Sequence, residues 1–444
     1  MRIKIILFLL LAVNIFAQQD TTGVIRLTLD DAISIALEHN WDMKISQQGI
    51  LRAEEQINEA YSNAFPSLNF SGRYTRNFKL PVLFIPPNTP INPSSQTQKF
   101  ELGSKNAVDA GITLTQVLYN QKVNTAISIA GEYASLSKIG KKATSNEVVL
   151  NVKKAFYNVL LLRELVNVSQ QSYNFAKASL DVVTSMYKQG MTSEFDYLRA
   201  EVQVANIQPE LIRVQNNLEL SKNYLKSLLA IDLNRQIEVI GEFKFEEVPV
   251  DVMESFNEEA ITNNPLIQQL TIQSSLLGHN ITIEKSEYYP SLAMFGAYNW
   301  QSQDNTFQIK KWQWAESFMV GLQLNYTIFD GFRRGARIEQ AKIDQETVNL
   351  NKNKLTEGIR IQVLQAKMKM DEAQRRIEAQ EKSLKQAQRA VEIGQTRYKN
   401  GVGTQLELID TQTALQVANT NYAQAIFDYL VAKADWEYAV SYSK

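Results

Sequence analysis

Phe318-Met319-Val320-Gly321-Leu322-Gln323-Leu324-Asn325-Tyr326-Thr327-Ile328 alternates along its length, with Phe318, Val320, Leu322, Leu324, Tyr326 and Ile328 apolar and Gln323, Asn325 and Thr327 polar. A period of two is the signature of a strand with one greasy and one wet face. A half-buried strand of a soluble protein reads the same way, but a strand crossing an outer membrane needs about 9–11 residues, and this run has that length. Leu68, Phe70, Tyr74 and Phe78 alternate likewise with Asn69, Ser71, Arg73, Thr75 and Asn77, and Val108, Ala110, Ile112 and Leu114 with Asp109, Thr113 and Thr115. A fourth run, from Leu292 to Gln301, is interrupted on its polar side by Phe295 and Ala297. Phe78, Trp300, Trp312 and Trp314 near the loop ends fit an interfacial aromatic girdle.

Working outward from these runs, the chain is written twice. Phe65-Pro66-Ser67-Leu68 recurs as Tyr289-Pro290-Ser291-Leu292, 224 positions on (66 to 290). Gln116-Val117-Leu118-Tyr119-Asn120 matches Tyr326-Thr327-Ile328-Phe329-Asp330 at 210 positions (119 to 329), and Tyr187-Lys188-Gln189-Gly190 matches Tyr398-Lys399-Asn400-Gly401 at 211 (190 to 401). The spacing changes only across 79–105, which carries Pro81, Pro86, Pro87, Pro90 and Pro93 and exceeds its counterpart at 301–315, so the difference is a loop insertion. Two equal series of elements argue for one pseudo-symmetric architecture.

Each series holds helices, two strands, a very long helix and a further helix. Helices are expected over 29–38, over 42–64 and again over 260–289. Val363, Met370, Ile377, Leu384, Val391 and Tyr398 repeat every seven residues, as do Val152, Val159, Val166, Tyr173, Leu180 and Tyr187. After the glycine turns the pattern resumes as Tyr197, Val204, Leu211, Leu218 and Leu225, and as Leu408, Leu415, Tyr422, Tyr429 and Trp436 with Ala418, Ala425, Ala432 and Ala439 between the large residues. Large beside small at heptad spacing is coiled-coil packing. The stretches 120–188 and 330–399 contain no proline, so each reads as one helix of about 70 residues, roughly 105 Å long at 1.5 Å per residue.

Composition excludes more than it assigns. The 444 residues include no cysteine, which removes disulfides, thiolate metal sites, cysteine nucleophiles and a lipid-bearing N-terminal cysteine. A net charge of −1 gives no reason to expect nucleic acid. His39 and His279 lie in helical segments outside any metal or nucleophile pattern, and Gly401 to Gly403 lacks the third glycine of a dinucleotide loop, so no catalytic residue, metal or cofactor is expected and the chain reads as a non-enzyme. Met1 to Ala17, with Arg2 and Lys4 ahead of an apolar run, reads as a secretory signal peptide.

Four membrane strands cannot satisfy their own edges, because lipid offers no hydrogen-bond partner to the backbone and only closed barrels are tolerated. Copies must therefore join: two give eight strands and three give twelve.

In its doubled plan, its aromatic-Pro-Ser-Leu entries at Pro66 and Pro290 and its Tyr-x-x-Gly turns, the chain resembles the TolC outer-membrane efflux family over essentially all its mature length. The resemblance implies a mainly α protein with a β-barrel part: a homotrimer in outer-membrane lipid, four transmembrane strands per chain in a shared barrel, and long coiled-coil helices forming a periplasmic α-barrel. It implies two structural repeats, 18–230 (strands about 67–78 and 107–118, helices about 120–188 and 194–230) and 259–444 (strands about 291–301 and 316–328, helices about 330–399 and 405–441), joined by an equatorial linker at 231–258. The role implied is the exit duct of a tripartite efflux or type I secretion system, working with a periplasmic adaptor and an inner-membrane pump. A soluble periplasmic coiled-coil adaptor or scaffold is the competing expectation.

Locally, Gly190, Gly401 and Gly403 permit the left-handed backbone that ends a helix, and Thr192, Ser193 or Thr404 offers a cap for the next. By resemblance the turns around Tyr187, Gly190, Tyr398, Gly401 and Gly403 are similar to the periplasmic tips that meet the adaptor. Glu407 and Asp410 look like the family's acidic constriction, and Asp196, aligned with Glu407, is its candidate in the first repeat. Three apart on a helix, Glu407 and Asp410 share a face; charge alone describes them equally as solvated carboxylates beside the Leu408 seam. One departure stands out: the best-known member of the family carries a basic residue where this chain has Gly403, so a salt-bridge lock from that site is absent.

Overall fold

A computed structural model describes residues 24–248, 261 and 263–440. The signal-peptide segment Met1 to Ala17 and positions 249–260, at the end of the expected linker and the start of the second repeat, lie outside the described residues. In chain order the elements are β1 (Ile25–Leu27), α1 (Leu29–His39), α2 (Trp41–Ser62), β2 (Ser67–Arg76), β3 (Val82–Ile85), β4 (Gln98–Glu101), β5 (Asn106–Tyr119), α3 (Gln121–Lys188), α4 (Glu194–Leu228), β6 (Ile237–Val239), α5 (Pro265–Ser286), β7 (Ser291–Asp304), β8 (Ala315–Asn325), α6 (Arg333–Lys399) and α7 (Gln405–Ala439). They divide into two compact units, one of Met1–Ser46, Lys141–Asn264 and Thr356–Lys444, the other of Gln47–Gly140 and Pro265–Leu355.

The second unit is organised by an antiparallel sheet of order β2-β5-β7-β8. Its register sets Phe70 opposite Ile112, Ile112 opposite Tyr298 and Tyr298 opposite Phe318, so one apolar row runs across all four strands. Among the described residues nothing covers this face where it reaches the edge strands: Phe70, Phe318 and Leu322 are 72%, 71% and 66% exposed. Within the described sheet β2 and β8 each pair on one side only.

The interruption in β7 has a steric cause. Phe295 stands opposite Gly321, and a Cβ on that glycine would come within 2.7 Å of the Phe295 ring, so the ring lies over the bare backbone of its cross-strand partner. Asn299 covers Gly111 in the same way.

Two expectations need correction. Trp312 is not a girdle residue: it is buried, and its indole Nε1 donates to the carbonyl of Thr306 at 3.1 Å, closing the loop after β7. The last strand stops at Asn325 rather than running to Ile328. Asn325 pairs with Ser291, and the preceding Pro290 has no N–H to extend the ladder. The Pro-rich insertion carries its own β3–β4 ribbon, beside which the buried Asn92 donates to the carbonyls of Ile85, Pro86 and Gln96.

In the first unit parts of the heptad seams are buried, while Tyr187 at the end of one is exposed. Val152, Val159, Met370, Ile377, Leu211 and Leu225 are buried, and so are Ala418, Ala425, Ala432 and Ala439. Tyr429 fills a gap between them: its hydroxyl accepts from the Val248 N–H and donates to the Glu246 carbonyl, both at 3.1 Å, which ties the segment after β6 to α7. The parallel pairing of β1 with β6 fixes the N-terminal segment in the same unit. The helices α3 and α6 have 68 and 67 residues, about 100 Å each if straight. Few globular domains require helices of this length.

Candidate functional site: two helical tips

All the candidate residues belong to the first unit, at the turns α3–α4 and α6–α7. Both turns close by the same backbone device. The first has Gly190 at φ +71°, its N–H bonded to the Tyr187 carbonyl at 2.9 Å, while the Met191 N–H reaches the Met186 carbonyl at 2.8 Å. The second has Gly401 at φ +71°, with Gly401 N–H on the Tyr398 carbonyl at 3.1 Å and Val402 N–H on the Arg397 carbonyl at 3.0 Å. This pair of bonds, one spanning five residues and one spanning three around a left-handed residue, is the Schellman closure.

Gly403 has a different reason to be glycine. Its φ is not in the left-handed region, contrary to the sequence-based expectation. A Cβ there would instead meet the Arg397 Cβ at 3.0 Å and the Tyr398 nitrogen at 3.2 Å, so the residue is needed for close approach of the turn to the end of α6.

The next helices are capped alike. Ser193 Oγ accepts the Asp196 N–H and Thr404 Oγ1 accepts the Glu407 N–H, each at 3.2 Å. From there the carboxylates diverge. Asp196 turns back on its own cap, accepting from Ser193 Oγ at 2.7 Å and Thr192 Oγ1 at 3.2 Å. The Ser193 hydrogen bond above all holds the Asp196 carboxyl below the usual aspartate range. Glu407 points instead to Arg397, whose Nη2 lies 3.6 Å from its Oε2. Asp410 is exposed and makes no hydrogen bond or ion pair among the described residues.

The tyrosines also differ. Tyr187 stacks on Tyr197, ring centroids 5.3 Å apart and 12° from parallel. Tyr398 is pushed up in pKa by burial and, after that, by the negative charge of Asp196. Gln405, the first residue of α7, is buried, and neither its amide nitrogen nor its amide oxygen has a hydrogen-bond partner among the described residues. An orphaned buried amide costs about 1–3 kcal/mol; Glu194, at the same place in the first tip, is exposed.

Sequence reasoning passed over three features. Arg397 was one; a basic side chain in the last turn of a helix beside free carbonyls is the signal that marks it. The others are two exposed apolar pairs at helical spacing across the turns, Met191 with Phe195 and Val402 with Leu406. Their exposure on a turn is visible only once the seam is oriented.

Among the described residues no group of three or more acidic or histidine side chains is placed to hold a metal ion, and no helix is long and apolar enough to cross a membrane. The latter says nothing of strands.

Comparison with known proteins is consistent in kind. The family described as outer membrane efflux protein matches residues 32–230 and 257–435. Outer membrane protein TolC of Vibrio cholerae is 20% identical over 81% of this chain and 81% of its own length. Nodulation protein T of Rhizobium leguminosarum bv. trifolii is 22% identical over 90% of this chain and 82% of its own. In fold, the crystal structure of the Campylobacter jejuni CmeC outer membrane channel superposes with a TM-score of 0.73 at 16% identity, covering 93% of this chain and 85% of that one.

Proposed function

Because the chain belongs to the outer membrane efflux protein family, we propose that it is the outer-membrane exit duct of a tripartite efflux or type I secretion system, a passive conduit and not an enzyme. The observation that carries this reading is the sheet of the second unit, with its bare apolar row and its one-sided edge strands β2 and β8. Lipid accepts exposed Phe70, Phe318 and Leu322 but has no partner for an edge amide, so β2 of one copy must pair with β8 of the next. Three copies then make a closed barrel of twelve strands, with each chain contributing two structural repeats. A soluble adaptor or scaffold would need the apolar row packed against protein, and the exposure of that row argues against it.

The tips around Tyr187, Gly190, Tyr398, Gly401 and Gly403 are the surface offered to a periplasmic adaptor, which couples the duct to an inner-membrane pump that supplies the energy. Exposed Met191, Phe195, Val402 and Leu406 add apolar area to that surface. Glu407 and Asp410 are the acidic constriction, stacked in rings that favour cations. Asp196 contributes less, since its carboxylate is engaged by its cap hydroxyls.

Detergent-extracted protein is expected to be trimeric and to conduct in planar bilayers, and Glu407→Ala with Asp410→Ala is expected to raise conductance and lower cation preference. Recovery of the full chain in the soluble periplasm refutes the duct; unchanged currents in the double variant remove these carboxylates from the constriction.

A further inference from the structure

We propose that Arg397 is the residue that sets the charge of the constriction: it neutralises Glu407, so that selection among ions falls to Asp410. This rests on the reading of Glu407 and Asp410 as the narrowing of the duct. The geometry is particular to the second tip. The Arg397 carbonyl takes the N–H groups of both Val402 and Gly403, at 3.0 and 3.1 Å, which folds the turn back over the end of α6. The same residue's Nη2 donates to the Val402 carbonyl at 3.2 Å and lies 3.6 Å from the Glu407 carboxylate. The bare backbone of Gly403 makes this close approach possible, because a Cβ there would press on the Arg397 Cβ and carbonyl carbon. The guanidinium is thus held on the turn rather than free in solvent.

Distance decides what an ion in the duct meets. Opposite charges 3.6 Å apart lie well inside the screening length of about 8 Å at physiological salt, so beyond the tip the Arg397–Glu407 pair acts as a dipole and not as a net charge. Among the described residues Asp410 has no partner to offset its charge. Glu407 and Asp410 of each chain therefore present one net negative charge instead of two. The first tip has Met186 where the second has Arg397, and its Asp196 is held first by hydroxyls, with the Arg199 charge acting on it from its own helix.

The pair is half exposed on both sides, so it contributes little to folding, and the backbone bonds that close the turn use the Arg397 carbonyl rather than its side chain. Reversal potentials of the full-length channel in a KCl gradient test the proposal. Arg397→Gln is expected to raise the cation-to-anion permeability ratio roughly two- to threefold by releasing Glu407. Arg397→Lys preserves the ratio, and Arg397→Gln with Glu407→Gln restores it. Glu407→Gln alone leaves the Arg397 charge uncompensated and lowers the ratio, and Asp410→Asn lowers it as well. A clear effect of Asp410→Asn with none of Arg397→Gln overturns the role of Arg397, as does a ratio for Arg397→Gln with Glu407→Gln no higher than for Glu407→Gln alone. Indifference of the ratio to all three carboxylate and arginine changes instead overturns the constriction itself.

Discussion

The two tips share a backbone and differ in what their side chains do. In the α3–α4 turn the polar groups serve the fold: Asp196 completes the cap of its own helix and Tyr187 stacks on Tyr197. In the α6–α7 turn the cap is simpler, Asp410 is left without a partner, Glu407 faces Arg397, and Gln405 is buried unsatisfied. The first turn is a fastening; the second combines a charged surface with a local cost. Departures from polar satisfaction gather at functional sites because the surrounding helices can sustain them.

The largest effect tests what the tips have in common. Valine in place of Gly190 or of Gly401 must adopt φ near +71°, which costs a β-branched residue about 2 kcal/mol. Equal loss of hydrogen-exchange protection at the two turns is expected, and a loss confined to one would show that their closures are not equivalent.

A second change addresses the cost in the α6–α7 turn. Gln405→Leu removes two unpaired polar atoms at nearly constant volume and is expected to stabilise that turn by about 1–2 kcal/mol. The matching change at exposed Glu194 is expected to do nothing of the kind, and protection of the amides after each cap reads both.

Smaller still is the difference between the caps. Ser193→Ala removes an acceptor for the Asp196 N–H and a donor to the Asp196 carboxylate, while Thr404→Ala removes only an acceptor for the Glu407 N–H, so the former costs more, about 1 kcal/mol or above. Acid probes the same tie. A carboxylate held below its ordinary value of 3.8 stabilises the fold above that pH, and the contribution is lost as the pH falls through the lowered value. Protection at the first turn should fall below about pH 3.8 in the unaltered chain and fall less in Ser193→Ala.

Much of this could be read from residues alone. Alternation at Leu68–Phe70 and Phe318–Val320–Leu322 located strands, because a pleated backbone sends successive side chains to opposite faces whatever surrounds it. Heptads through Val152, Val159, Met370 and Ile377 located the rods and their buried seam for a similar local reason, the fixed turn of a helix. Gly190 and Gly401 announced a left-handed helix end, since only glycine enters that region without penalty.

What lay beyond reach depended on partners distant in the chain or on direction in space. Phe295 looked like a flaw in a strand until Gly321 came opposite it, and Trp312 looked interfacial until the loop folded its indole onto Thr306. Gly403 belongs to the turn for clearance against Arg397 rather than for its dihedral angle, and the carboxylates Asp196 and Glu407, aligned in sequence, take unlike partners. Periodicity specifies which face a side chain occupies, because it follows from backbone geometry within a few residues. It cannot specify which atoms meet across that face, because contact is set by the packing of whole elements, and at the second tip that packing brings the Arg397 guanidinium beside Glu407 and leaves Asp410 without a counter-charge.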